Sequence, residues 1–122
     1  MSTKKKSHIA PGKIALYQKL VATIPDIERK GAHNPYTSVN GNMFSLLHSP
    51  DGRLALRLPE DEREKFLKKH KTALFEAYGM VMKEYVAVPE ALLAKTKELQ
   101  KYLAISFVYA KTLKPKPGKK KT

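Results

Sequence analysis

Apolar and polar positions along the chain change their period several times, and each change marks an element. From Lys13 to Ile24 the apolar residues Ile14, Tyr17, Leu20, Val21 and Ile24 recur at helical spacing. Pro11-Gly12 precede that run and Pro25 closes it, so a first helix with one buried face is predicted. Residues 27 to 33 alternate only weakly; Lys30, Gly31 and Pro35 argue for irregular backbone, and a short edge strand or a loop both fit. Tyr36 to Val39, Asn42 to His48 and Arg53 to Leu58 then read as three antiparallel strands joined by two tight turns. Asn40-Gly41 suits a type I′ turn because both residues tolerate positive φ, and Ser49-Pro50-Asp51-Gly52 suits a type I turn closed by a left-handed glycine.

Within the third strand, alternation sends Leu54, Leu56 and Leu58 one way and Arg53, Ala55 and Arg57 the other. In the second, it pairs Phe44 with Leu46 and His48 on one side and Met43 with Ser45 and Leu47 on the other. Both sides carry apolar residues, so a helix or a partner is expected over the outer one. Pro59 followed by Glu60, Asp61 and Glu62, with Lys68, Lys69, His70 and Lys71 further on, matches the dipole of a second helix at both ends. That helix is expected to resume through Ala73, Leu74, Phe75 and Ala77 until Gly79. Met80 to Val88 reads as a fourth strand, and Pro89-Glu90 open a long last helix with Leu92, Leu99, Leu103, Ser106, Ala110 and Leu113 on one side. The expected fold is α+β, a single domain with an antiparallel β-meander flanked by helices in the order α-β-β-β-α-β-α.

Three segments resemble the TfoX N-terminal domain family in collinear order: N-G-N-M-F-S-L-L, L-A-L-R-L-P-E-D-E-R and Y-G-M-V-M-K-E-Y-V-A-V-P-E-A-L-L. Asn40, Gly41, Met43, Phe44, Leu54, Leu56, Arg57, Asp61, Tyr85, Val88 and Pro89 occupy the family's characteristic positions. The resemblance spans residues 13 to 113. Where family members commonly carry M-F-G-G, this chain has Gly31-Ala32-His33-Asn34. The resemblance implies a compact α+β domain and a link to transcriptional regulation.

The chain has 122 residues, enough for one hydrophobic core. No apolar run approaches the ~20 residues of a membrane-spanning helix, and no apolar stretch backs the basic start as a secretory signal would. Cysteine is absent, which excludes disulfides and thiolate chemistry. A soluble, cytoplasmic protein is expected. The net charge of +13 is unevenly spread. Residues 1 to 12 and 114 to 122 contain lysines and no acid, and both read as disordered basic tails around the domain at 13 to 113. The body between them is only mildly basic.

No nucleotide-binding glycine loop, nucleophile elbow or metal-ligand pair occurs, and His8, His33, His48 and His70 are widely separated. Glu84-Tyr85 is the one acid beside a phenol on a strand, and alternation makes the two diverge, giving an exposed Glu beside a packed Tyr. No catalytic residue, cofactor, metal or small-molecule substrate is therefore assigned. The candidate binding face is cationic: Arg53 and Arg57 on one strand face, Lys83 near them, and Arg29 and Lys30 flanking the sheet. Two functions follow as expectations. One is a non-enzymatic regulatory domain acting through protein contacts, including pairing of two copies through Tyr36, Met43 and Leu47. The other is a nonspecific nucleic-acid-binding module using the basic tails and the basic sheet face.

Overall fold

The computed structural model describes residues 11–31, 35–48, 52–77 and 79–114. The fold is α+β, with one five-stranded antiparallel sheet and four helices. The chain runs α1 (Pro11–Ala22), β1 (Tyr36–Val39), β2 (Asn42–His48), β3 (Arg53–Arg57), α2 (Glu60–His70), β4 (Leu74–Ala77), β5 (Met80–Val88), α3 (Glu90–Leu93) and α4 (Thr96–Thr112). In space the strands lie in the order β1-β2-β3-β5-β4.

The β1–β2 turn has the expected chemistry: Asn40 and Gly41 take φ of 55° and 78°, both in the left-handed region. Gly52 closes the next turn at φ 73°, its amide donating to the His48 carbonyl at 2.7 Å; the residues between them lie outside the described set. Residues 27 to 31 form no full strand, and Lys30 makes one two-way backbone bridge to Tyr36.

Two expectations about helices are corrected. Leu74 to Ala77 is strand β4, and α2 stops at Lys71, which caps it at φ 51° with its amide on the Leu67 carbonyl. Five residues rich in Leu, Phe and Ala satisfy either period, and tertiary packing decides: Phe75 and Ala77 are buried while Glu76 is exposed. The last helix is also divided, with a break at Ala94-Lys95 that accompanies burial of both Leu92 and Leu93.

The main core lies between the helices and one face of the sheet. Tyr17 and Leu20 of α1, Leu54, Leu56 and Leu58 of the β3 segment, Phe66 of α2, Val86 of β5 and Leu99 and Leu103 of α4 are fully buried there. A bulge in β2 changes which residues reach it. Thr37 pairs with Ser45 while Ser38 pairs with Met43, leaving Phe44 as the extra residue. Phe44 and Leu47 consequently both enter the helix-side core, and Ser45 meets Tyr17 of α1 there, while Met43, Leu46 and His48 lie on the other side. Simple alternation had grouped Phe44 with Leu46. It had also offered Leu47 to a second copy of the chain, yet Leu47 is fully buried within its own core.

Candidate functional site

The second face of the sheet is built by its own strands. Ala55 of β3, Phe75 and Ala77 of β4 and Tyr85 of β5 form a small apolar cluster, with Met43, Leu46, Met82 and Ala87 packed around it. The β4–β5 register explains how an edge strand reaches the centre of the sheet. Leu74 pairs with Val86, but the next residue, Phe75, pairs with Met82, a three-residue slip that bends the hairpin sharply. Phe75 then contacts the His48 ring at 5.6 Å, although β2 and β4 are not neighbours, and Arg53 of β3 donates to the Glu76 carbonyl at 3.1 Å. The hairpin thus folds across the outer face and supplies the cover that the apolar residues of β2 require. Phe75 is fully buried by this arrangement.

Beyond that anchor the hairpin projects. Met80 is 68% exposed and Val81 51% exposed. Successive strand residues point to opposite faces, so exposure of both means that neither face of the tip is covered. Gly79 shapes the turn at φ 73°, and Lys83 is exposed at the base. Nothing in the residue pattern distinguished Met80 and Val81 from ordinary strand residues; the signal resides in the slip of register.

Of the five predicted cationic residues, Arg53 and Arg57 lie together on the outer sheet face, over Phe75 and Tyr85. Arg57 is committed: its Nε donates to Glu84 Oε1 at 2.7 Å, Nη2 lies 2.6 Å from the same oxygen, and Nη1 donates to the Met43 carbonyl at 3.4 Å. Its guanidinium also covers the Tyr85 ring at 5.6 Å. Arg53 sits over the Phe75 ring at 4.8 Å. Both arginines therefore close the outer apolar cluster with their charged ends. Lys30 Nζ donates to Ser38 Oγ at 3.1 Å, and the Arg29 Nε is buried with no hydrogen-bond partner among the described residues.

Glu84 and Tyr85 diverge, as alternation requires, but Glu84 is only partly exposed. Its second oxygen accepts a hydrogen bond from the Tyr109 hydroxyl at 3.0 Å, and Tyr85 donates to the Met43 carbonyl at 2.7 Å. Burial alone would raise the Glu84 carboxyl; the Arg57 and Tyr109 hydrogen bonds and the Arg57 charge outweigh it and hold the group below its usual range. Tyr109 is raised, first by burial and then by donating to that carboxylate. Every strong partner of Glu84 is thus a structural one.

A second polar cluster is interior. The Ser45 hydroxyl bridges Tyr17 at 2.6 Å and Thr37 at 2.5 Å, tying α1, β1 and β2 together with all three residues buried. Burial pushes the Tyr17 phenol up to about 12, against the opposing hydrogen bonds from Ser45 and Thr37.

Among the described residues no group of three or more His, Asp or Glu side chains is arranged to hold a metal ion. His48 packs edge-on against Phe75 and His70 packs at a tilt against Phe66, and His8 and His33 lie outside the described residues. A cleft of about 180 Å³ lined by Lys13, Leu54, Val88, Glu90 and Leu93 is crossed by the Lys13–Glu90 ion pair at 3.1 Å. It is smaller than the roughly 300–1,000 Å³ of typical small-molecule sites. No helix of the described residues is long and apolar enough to cross a membrane. No family model matches the chain, and no curated protein matches it.

Proposed function

We propose that this is a non-enzymatic binding domain that acts through protein contacts, with the tip of the β4–β5 hairpin as its contact element. The observation that carries this reading is the joint exposure of Met80 and Val81 on a hairpin whose base is anchored by Phe75, Arg53 and His48. A large apolar pair held out on a rigid support loses little conformational freedom when a partner covers it, which favours association. The polar groups that could have suggested chemistry are engaged elsewhere: Arg57, Glu84, Tyr85 and Tyr109 in a structural network, and Tyr17 in the interior.

The collinear motifs and the α+β architecture support placing the chain near the TfoX N-terminal domain family, and with that a role in transcriptional regulation. The elements that carry that resemblance, Asn40-Gly41, Phe44 and the Leu54-Leu56 strand, serve folding and say little about the partner.

The reading is tested by capture on immobilised full-length chain and on Met80→Ser/Val81→Thr, from nuclease-treated lysate of the source cells. The expected result is a discrete protein retained by the first and depleted at least about tenfold on the second, the loss of roughly 1.4 kcal/mol of contact. Identical retention by both would sink it.

A further inference from the structure

Two lysine-rich segments of the described chain meet in space. Residues 65–71 of α2 and its cap, and residues 95–101 at the start of α4, contain seven lysines against one carboxylate, Glu98, and all seven lysines are exposed. Contacts along the seam join them: Lys69 Nζ lies 3.5 Å from Glu98 Oε2, and His70 Nε2 lies 3.3 Å from the Tyr102 hydroxyl, over the buried Phe66 ring. Of the four acids of α2, Asp61 and Glu64 share a shallow hollow with Lys65 and Lys68, while Glu60 and Glu62 lie in the helix's first turn; Lys69, Lys71, Lys95, Lys97 and Lys101 lie further along the seam, with Glu98 as the one acid in their segments.

We propose that this α2–α4 seam binds the phosphate backbone of a nucleic acid. The cations are spread over two helices on an open surface, which fits a repeating polyanion better than a single phosphate held in a pocket. A membrane surface fits less well. Large apolar side chains exposed among the described residues are Met80, Val81 and Val108, and none belongs to either segment, so the seam offers nothing to insert between lipids. His70 is sensitive to the same field: its proton affinity is lowered by burial first and then by Lys69, with Lys95 adding and Glu98 opposing. The seam also differs from the sheet face, where Arg53 and Arg57 cap aromatic rings. The seam shares no residue with the β4–β5 hairpin.

The test is fluorescence anisotropy of a short labelled DNA duplex of arbitrary sequence, with full-length chain across about 50 to 200 mM salt. Three proteins are compared: wild type, the seam variant Lys68→Gln/Lys71→Gln/Lys101→Gln, and the tail variant Lys119→Gln/Lys120→Gln/Lys121→Gln. Lys69 is kept so that its pair with Glu98 survives, and thermal melts check that each variant folds. Three lost phosphate contacts should make the salt slope of the seam variant shallower by about 2 to 3 and weaken binding at least about tenfold at the low end of the series. A seam-variant slope equal to wild type overturns the proposal, whatever the tail variant does, and so does absence of DNA binding by wild type. Phosphatidylserine vesicles provide the last arm: tighter seam-dependent binding to vesicles than to DNA would assign the surface to lipid and overturn it as well.

Discussion

Arg57 and Glu84 are joined across the β3–β5 pair by a charge-assisted hydrogen bond of 2.7 Å, and Tyr109 of α4 completes the contact by donating to the other Glu84 oxygen. One carboxylate thereby links the sheet to the last helix. The Glu84 side chain is 37% exposed and that of Arg57 18%, so solvent screens part of the attraction. Glu84→Gln should cost about 1 kcal/mol, allowing for that screening. The sign of its pH dependence follows from a folded carboxyl held low: the contribution is present above the ordinary Glu value of 4.5 and is lost as pH falls through the lowered folded value. Chemical denaturation of wild type and Glu84→Gln at neutral and acid pH checks this; a difference that does not shrink in acid would contradict it.

Phe75 is the largest side chain of the outer apolar cluster that the edge strand supplies, fully buried and packed against His48 of β2. Phe75→Ala should destabilise the domain by about 3 kcal/mol or more, the range for emptying a buried aromatic site. It should also release the hairpin before the main core unfolds, seen as faster hydrogen exchange at Met80, Val81 and Met82 than in the core strand residues Leu54 and Leu56. Uniform acceleration across the sheet would mean that the cluster and core are one cooperative unit.

Gly79 has room for a side chain, because a Cβ added there meets nothing within 4 Å, but its φ of 73° disfavours any L residue. Gly79→Ala should therefore cost about 1 kcal/mol through backbone strain alone. Thermal melts measure it directly, and an unchanged or raised Tm would show that the turn relaxes to another geometry.

His70 packs against Phe66 at 4.5 Å between ring centroids and against Tyr102, and its proton affinity is lowered mainly by burial. With the folded value below the ordinary 6.5, the unfolded chain takes up the proton more readily, so this group's contribution is full above about 6.5 and declines as pH falls below it. Comparing Tm between about pH 7.5 and 5.5 for wild type and His70→Asn isolates the effect. The fall should be smaller in the variant; an equal fall would assign the pH dependence to other groups.

The sequence made the meander legible because Asn40-Gly41, Gly52 and the Leu54-Leu56-Leu58 alternation each carry local geometry that permits few alternatives. What it could not convey was register. The extra residue Phe44 reverses the facing of Leu47 and Leu46, and the slip at Leu74/Phe75 turns a presumed helical segment into a strand that folds over the sheet. Both are decided by packing partners distant in the chain. The basic residues were legible as charge, but whether an arginine caps an aromatic ring or faces a ligand depends on that same register. Lys68, Lys69 and Lys71 were legible as the basic end of α2, but their approach to the lysines of residues 95 to 101 depends on the meeting of α2 and α4 through Lys69–Glu98 and His70–Tyr102.

The claim that the hairpin tip is the contact element is tested most directly by a photo-crosslinking amino acid placed at Met80 in the full-length chain in its own cells, with Val108, exposed on α4, as the comparison site. The account predicts one discrete protein adduct from position 80, either a partner or a second copy of the chain, that is absent from position 108 and lost when Val81→Lys is added. Equal adducts from both positions, or none from position 80, would contradict it.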